Sequence, residues 1–145
     1  LIVFSGGNDL IKFKNIARNK IRDELDNFYL NICLKKNIRV LGICHGAQFI
    51  SNFFESRIVK RKHIGRHDID FKFNDNSIKI NVNSYHNYVI TSLGIKLFEL
   101  ARCKDNSIEA FKHKKLSVLG IMWHPEREKQ ISKIDIKIVK EYLCN

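Results

Sequence analysis

The sequence has little proline, few acidic residues and no long apolar run. Its 145 residues include one Pro, one Met and one Trp, and 15 Asp and Glu stand against 26 Lys and Arg. No apolar stretch approaches the roughly 18–20 residues of a membrane-spanning helix, so we expect a soluble, cytoplasmic protein with no membrane association. Because 44% of the residues are hydrophobic, general disorder is excluded and one domain with a real core is expected.

The cysteines lack the spacing of redox or zinc motifs. Cys33, Cys44, Cys103 and Cys144 form no C-x-x-C pair, which argues against a zinc knuckle and a thioredoxin-type site. A chain of this length does not depend on disulfides, so we expect reduced thiols. We also expect no metal site, because no group of Cys and His has the ligand spacing of a zinc finger.

The positive net charge of +11 admits two explanations. An anionic partner such as nucleic acid, a nucleotide or a phosphorylated glycan would account for it. A compositional bias of the source would also account for it, since Lys, Ile and Asn are all abundant. No zinc-finger, RRM or KH signature is present, so we do not expect nucleic acid. The densest basic segment, residues 57–66, is either a solvated loop or a patch that attracts substrate phosphates.

Hydrophobic periodicity predicts alternating strands and helices before a series of strands. Residues Ile21, Leu25, Phe28 and Ile32 recur at helical spacing. We interpret residues 55–67, with His63 and His67, as a basic loop whose histidines are structural or solvent-facing, and 74–77 as a hairpin turn. The predicted helices cover 15–35, 47–54 and 131–143, and the predicted strands cover 1–4, 38–43, 68–73, 78–82, 96–103, 108–111 and 117–122.

This order predicts an α/β fold with a mainly parallel sheet and helices on both faces. We expect a single domain over residues 1–145. The sequence begins inside a strand and without Met, so we expect the domain to be incomplete at its N-terminus. In parallel sheets, ligands bind beyond the carboxyl ends of the strands. Loops at 5–9, 44–46 and 124–126 follow predicted strands, and we expect them to converge.

The pentapeptide G-I-C-H-G at residues 42–46 places a cysteine between two glycines directly after an apolar strand. In a nucleophile elbow, small flanking residues let strand and helix pass closely while the turn exposes the nucleophile. The following N–H and the helix N-terminus favour a thiolate and an oxyanion. A buried structural cysteine is the alternative for this segment alone.

A candidate base follows the last predicted strand, in W-H-P-E at residues 123–126. His124 can take a proton from Cys44 and return it to a leaving amine, and Glu126 can hold the imidazole. A surface histidine beside a turn proline is the alternative. The order Cys, His, Glu differs from that of α/β-hydrolases, in which the acid precedes the base.

These motifs resemble the class I (triad-type) glutamine amidotransferase superfamily. The similar segments are G-I-C-H-G-A-Q at 42–48, W-H-P-E at 123–126, the glycine loop S-G-G-N-D at 5–9 and V-N-S-Y-H at 82–86. The glycine loop lacks the proline-flanked form of synthase-coupled members. It looks more like the γ-glutamyl hydrolase branch, including the γ-glutamyl-γ-aminobutyrate hydrolases and the γ-glutamyl-CDP-amidate hydrolases of capsule phosphoramidate synthesis.

The resemblance implies a flavodoxin-like fold and a cysteine hydrolase of γ-glutamyl amides. Cys44 would form a thioester, with His124 as base and Glu126 orienting it. The backbone N–H groups of Gly7 and His45 would hold the oxyanion. No cofactor is required, because thiol, base and oxyanion hole suffice for acyl transfer.

The resemblance also implies a binding site for the glutamate part of a small substrate, which is nucleotide-linked in the CDP-amidate hydrolases. Gln48 and the backbone around Ser84 and Tyr85 would hold the glutamate α-groups, and His86 is either a site-shaping or a structural residue. Two rival functions stay open. One is a glutaminase subunit that supplies ammonia to a separate synthase partner, and the other is a basic binding module or an inactive remnant.

Overall fold

The structure is a computed structural model that describes residues 1–73 and 76–144, so residues 74 and 75 of the predicted turn lie outside the described part. A 3₁₀ turn covers Pro125–Arg127. The helices are α1 (Ala17–Lys35), α2 (His45–Phe53) and α3 (Lys133–Leu143). The strands are β1 (Ile2–Phe4), β2 (Val40–Ile43), β3 (Arg57–Phe73), β4 (Asn76–Ser92), β5 (Leu97–Cys103), β6 (Ile108–His113) and β7 (Val118–Ile121).

The strands form one sheet in the order β1-β2-β7-β6-β4-β3-β5. The prediction of a mainly parallel sheet is wrong, because only β1, β2 and β7 pair in parallel and the other described pairings are antiparallel. Parallel neighbours need a crossover helix, whereas short turns connect antiparallel ones. After α2, strands β3 to β7 follow one another with no α-helix among the described residues between them.

Strands β3 and β4 form a long hairpin of 17 residues each. The predicted loop at 55–67 is therefore mostly strand, and that prediction is wrong. The charged residues Lys60, Arg61 and Lys62 lie exposed on this hairpin, so no apolar alternation marks the segment. Strand β5 pairs with both β3 and β6, and the antiparallel strands thereby form a ring of pairings beside the parallel part.

Helices cover both faces of the parallel part, as predicted. Strands β2 and β7 have the same sequence, V-L-G-I, and pair in register from Val40↔Val118 to Ile43↔Ile121. Because successive strand residues point to opposite faces, the sheet separates two apolar clusters. One cluster includes Val40, Val118 and residues of α1 and α2, and the other includes Ile43, Ile121 and residues of α3.

Helix α1 turns an unexpected face to solvent. Ile21, Leu25 and Phe28, which indicated the helix, are 58%, 49% and 60% exposed. The buried face instead carries Leu30 and Cys33 together with polar Asn19 and Asp26. Within the described residues, no helix is long and apolar enough to span a membrane.

Candidate active site

Cys44 occupies a strained turn between β2 and α2. Its φ of 49° and ψ of −102° lie outside the regions that non-glycine residues favour. Its N–H donates to the carbonyl of Ile121 at 2.8 Å, and its carbonyl accepts from the N–H of Gln48 at 2.9 Å. Strain of this kind persists where the surrounding structure holds the backbone, and it is typical of nucleophile elbows.

The glycines on either side of Cys44 make close backbone contacts. A Cβ on Gly46 would lie 2.0 Å from the carbonyl oxygen of Phe4, in β1. A Cβ on Gly42 would lie 2.8 Å from the backbone nitrogen of Ala47, in α2. Only glycine lets strand and helix approach this closely. The elbow predicted for residues 42–46 is therefore present in the backbone.

Cys44 is almost fully buried, at 3% exposed. Burial raises the pKa of its thiol to about 12, although a hydrogen bond from the backbone of His45 and the charge of Arg127 act in the opposite direction. The resting group is consequently a neutral thiol at neutral pH. A thiol in this state needs a base to become a nucleophile.

The candidate for such a base is His124. Its Nδ1 lies 2.6 Å from Oε1 of Glu126, and the imidazole is buried while Glu126 is half exposed. A carboxylate accepts from N–H, so the proton of a neutral His124 belongs on Nδ1 and its lone pair on Nε2. Among the described residues, Nε2 has no hydrogen-bond partner.

Backbone contacts fix the segment that carries His124. Asn83 binds both polar backbone groups of the residue: its Oδ1 accepts from the His124 N–H at 2.7 Å, and its Nδ2 donates to the His124 carbonyl at 2.9 Å. The indole N–H of Trp123 donates to Asp135 in α3 at 2.9 Å. Because β2 and β7 are neighbours in register, Cys44 and His124 leave adjacent strand ends.

The glycine loop lies against the side chains of His124 and His45. A Cβ on Gly6 would lie 2.7 Å from Cε1 of His124, and one on Gly7 would lie 3.6 Å from Cγ of His45. The ring of His45 contacts the carbonyl of Asn8 through Nδ1. The side chain of His45, to which no motif assigns a role, thus anchors the glycine loop.

A cavity of about 180 Å³ opens at this point, lined by Cys44 and by the predicted oxyanion residues Gly7 and His45. Gln48 and Tyr85 line it as well. The Nε2 of Gln48 donates to the carbonyl of Tyr88 at 3.0 Å, which fixes the amide. The ring of Tyr85 packs against His124 at 5.7 Å and under the guanidinium of Arg127 at 4.6 Å.

The other two predicted binding residues are buried. Ser84 is fully buried, and its Oγ has no hydrogen-bond partner in the described part of the chain. His86 lines the cavity and is 4% exposed. Burial lowers the pKa of His86 to about 4, so its imidazole is neutral at pH 7.

The cavity also contains groups that the sequence motifs did not reveal. Besides Asp9 of the glycine loop, Lys14, Arg18 and Asn19 line it, and Asn19 is buried while Lys14 and Arg18 are exposed. The last three residues come from the start of α1 and the segment before it. Only their nearness to the glycine loop in the sequence would have pointed to them, because none belongs to a recognisable motif.

The basic segment at 57–66 is partly neutralised by internal ion pairs. Arg61 contacts Asp105 at 2.9 Å and Arg66 contacts Glu128 at 2.6 Å. His63 and His67 do not lie in a loop but on β3, beside the buried Glu109 of β6. The prediction that no metal site exists overlooked their spacing, His-x-x-x-His.

The chain matches known proteins over most of its length. The family described as Glutamine amidotransferase class-I matches residues 19–139. The gamma-glutamyl-CDP-amidate hydrolase of Campylobacter jejuni is 44% identical over 142 residues, which cover 97% of this chain and 68% of that protein. A subunit of the glutamine-hydrolyzing GMP synthase of Pyrococcus furiosus is 32% identical over 135 residues, which cover 86% of this chain and 65% of that protein.

Solved structures show the same fold. A GMP synthase subunit from Thermoplasma acidophilum superposes with a TM-score of 0.77 at 25% identity, covering 98% of this chain and 70% of that one. A glutamine amidotransferase from Thermotoga maritima superposes with a TM-score of 0.71 at 18% identity, covering 96% of this chain and 62% of that one.

Proposed function

This chain belongs to the class I glutamine amidotransferase family, and on that basis we propose that it hydrolyses γ-glutamyl amide bonds through a thioester on Cys44. The observation that carries the proposal is the 2.6 Å contact between His124 Nδ1 and Glu126 next to the Cys44 elbow. Family membership agrees with the four motifs, and the identity to the C. jejuni enzyme favours the hydrolase branch over the synthase-coupled one.

The first half of the reaction breaks the amide bond. The sulfur of Cys44 attacks the γ-carbonyl carbon while its proton passes to Nε2 of His124. The backbone N–H groups of Gly7 and His45 receive the negative oxygen, and the N-terminus of α2 adds a favourable dipole. The C–N bond then breaks as His124 gives the proton to the leaving nitrogen, which departs as ammonia or an amine.

The second half releases glutamate. Water gives a proton to Nε2 of His124 and attacks the thioester carbon, the C–S bond breaks, and the Cys44 thiol regains its proton. Glu126 keeps the other imidazole nitrogen protonated and stabilises the imidazolium in both halves. No step requires a group beyond these side chains, the backbone donors and water.

The cavity supports recognition of the glutamyl part of the substrate. Lys14 and Arg18 supply positive charge for its α-carboxylate, and Asp9 supplies negative charge for its α-ammonium. By family resemblance, Gln48 and the segment Ser84–Tyr85 bind the same groups. A volume of about 180 Å³ suits one amino-acid-sized group, so a nucleotide on the leaving nitrogen would lie outside the cavity.

A second candidate function follows from the GMP synthase relatives, which are named as subunits of a glutamine-hydrolyzing enzyme. In that case the chain would hydrolyse glutamine and pass ammonia to a separate synthase. The synthase requirement separates the two candidates, because a hydrolase acts alone.

The test is glutamate release from a panel of substrates by the purified chain without any partner. The panel contains glutamine, a simple γ-glutamyl amide and a nucleotide-linked γ-glutamyl phosphoramidate. We expect release from at least one γ-glutamyl amide other than glutamine, and loss of release in Cys44→Ala. Cys33→Ala is the matched control, since Cys33 is also buried but does not line the cavity.

Two results would count against hydrolysis by the isolated chain. Glutaminase activity that appears only with a synthase would favour the second candidate. Equal glutamate release by Cys44→Ala and the wild-type chain would remove the thioester mechanism altogether.

A further inference from the structure

Three side chains outside the active site point their donor atoms at one another. His63 and His67 come from β3 and Glu109 comes from β6. One donor atom from each, a ring nitrogen or a carboxylate oxygen, lies within 4.8 Å of the others. We call these three residues the His63 cluster. It lies on the long hairpin and takes no part in the proposed hydrolysis.

The spacing of the donor atoms fits a small cation. His63 Nδ1 lies 3.3 Å from Glu109 Oε1, and His67 Nε2 lies 3.6 Å from the same oxygen. A tetrahedral zinc ion with bonds of about 2.0–2.1 Å holds its ligands about 3.3–3.4 Å apart. Both measured separations are near that value, and the third pair, His63 with His67, lies within 4.8 Å.

The donor atoms of the cluster are buried and have few hydrogen bonds. Glu109 is fully buried; its Oε1 accepts a long hydrogen bond of 3.4 Å from Ser107 Oγ, and its Oε2 has no hydrogen-bond partner among the residues described. The same holds, within residues 1–73 and 76–144, for His63 Nδ1 and His67 Nε2. A buried carboxylate with so few hydrogen bonds is costly unless a cation or a proton compensates its charge.

Asp105 prepares His63 for metal binding. His63 Nε2 lies 2.9 Å from Oδ2 of Asp105, so that nitrogen carries the proton and donates it. The lone pair of a neutral His63 is then on Nδ1, the nitrogen that faces Glu109. A carboxylate that fixes the far nitrogen of a ligating histidine is the usual outer contact of protein zinc sites.

The backbone between the two histidines departs from regular strand geometry at Gly65. On a straight strand, residues four apart are about 13 Å from each other, yet the ring centroids of His63 and His67 are 5.1 Å apart. Gly65 lies between them with a φ of 96°, and a Cβ there would meet nothing within 4 Å. The glycine therefore meets a requirement for a positive φ and not for a close contact.

We propose that His63, His67 and Glu109 form a binding site for a divalent transition metal ion of the zinc type, with a fourth position open to solvent. Two imidazoles and one carboxylate are a ligand set that zinc takes in sites that keep an open position. Nitrogen donors favour Zn²⁺ and its neighbours in the first transition row over Mg²⁺ and Ca²⁺.

An ion can reach this site from solvent. His63 and His67 line an open cleft together with Lys62, Arg66 and Asp105. Arg66 is paired with Glu128, and Arg61 with Asp105, which lowers the positive charge that an entering cation meets. Glu109 supplies negative charge next to the two imidazoles.

The cluster also adjoins the active site. His86 lies opposite His63 in the hairpin, with ring centroids 5.2 Å apart, and it lines the cavity that contains Cys44. A bound ion would therefore join β3 to β6 directly behind a wall of the active-site cavity. Its effect on that wall is structural, because none of the three ligands lines the cavity.

Calorimetric titration with Zn²⁺ of the chain freed of metal by a chelator tests the site. We expect one equivalent to bind, at least about 100-fold more weakly in His67→Asn and in Glu109→Gln, and about 10–100-fold more weakly in Asp105→Asn. Asp68→Asn is the matched control: Asp68 lines the same cleft without belonging to the cluster. We expect its affinity to equal that of the wild-type chain, and thermal melts to verify that each variant is folded.

Two results would overturn the proposal. The first is the absence of stoichiometric binding in the wild-type chain. The second is binding that persists in His67→Asn and disappears in Cys44→Ser, which would place the ion at the thiol. Cobalt substitution provides an independent readout, because nitrogen and oxygen ligation gives no thiolate charge-transfer band. The titration does not depend on catalysis, so its result is separate from that of the substrate panel.

Discussion

At the residue scale, the proposed reaction depends on proton transfer from the thiol of Cys44 to the imidazole of His124. Burial raises the pKa of Cys44 to about 12, so the thiol cannot ionise alone near neutral pH. The contact with Glu126 leaves Nε2 of His124 as the basic nitrogen. Attack on a substrate and proton transfer to His124 are therefore expected to occur together.

Substitution of Glu126 tests whether attack by Cys44 depends on the orientation of His124. We expect Glu126→Gln to lower kcat by about 10²–10⁴-fold with a small change in KM, because the amide no longer enforces the Nδ1–H form of His124. Steady-state kinetics on the best γ-glutamyl amide measure this. Glu24→Gln is the control, because Glu24 is an exposed glutamate on α1. A kcat within a factor of a few of wild type in Glu126→Gln would show that Glu126 does not orient the base.

Sequence patterns identify the candidate site residues that lie in motifs and miss those that do not. The elbow at 42–46 and the W-H-P-E segment are recognisable because each follows an apolar strand and has local spacing. Lys14, Arg18 and Asn19 reach the same cavity from α1 and the segment before it, and Glu109 meets the histidines of β3 from β6. Contacts between distant segments depend on strand order, which a single sequence does not encode locally.

At the element scale, the elbow depends on the crossing of β1, β2 and α2. We expect Gly46→Ala to destabilise the chain by about 2–4 kcal/mol, because the added Cβ would meet the Phe4 carbonyl oxygen at 2.0 Å and backbone cannot move aside cheaply. Urea unfolding followed by circular dichroism gives the value.

Gly65→Ala is the matched comparison within the sheet. Its added Cβ meets open space, so only the positive φ is costly, at about 1–2 kcal/mol. The expected order is a lower urea midpoint for Gly46→Ala than for Gly65→Ala. The reverse order would mean that the strand–helix crossing at Cys44 is looser than its backbone contacts indicate.

Strands and helices can be predicted from the sequence where burial requires a regular pattern of apolar residues. They are predicted poorly where their residues are exposed and no such pattern is required. Strand β2 is buried at every residue, and its apolar run identifies it. Strand β3 has charged residues on its exposed half, so its sequence carries no strand signal before residue 68. The apolar residues of α1 indicate the right helix but the wrong buried face, since Ile21 and Phe28 are exposed while Asp26 is buried.

At the scale of the whole molecule, the net charge of +11 should favour anionic substrates. Long-range attraction acts mainly on association and is screened by salt, since the Debye length falls from about 30 Å at 0.01 M to about 10 Å at 0.1 M. Internal pairing of Arg61 and Arg66 reduces the local field at the hairpin. The overall positive charge nevertheless acts on any approaching anion.

We therefore expect kcat/KM for a nucleotide-linked γ-glutamyl substrate to fall severalfold as the salt concentration increases from about 0.01 M to about 0.1 M. Over the same increase, kcat/KM for a γ-glutamyl amide without net charge should change little. Initial rates at low substrate concentration measure both. Equal salt dependence for the two substrates would show that the positive charge plays no part in substrate capture.

The thioester on Cys44 is tested most directly by mass spectrometry of the intact chain, quenched in acid during turnover of a γ-glutamyl amide. We expect a mass increase of one glutamate minus one water, located on the peptide that contains Cys44 and absent from Cys44→Ala. The adduct should accumulate in Glu126→Gln if hydrolysis of the thioester is slowed more than its formation. Steady glutamate release with no adduct on Cys44, or release that continues in Cys44→Ala, would contradict the proposed mechanism.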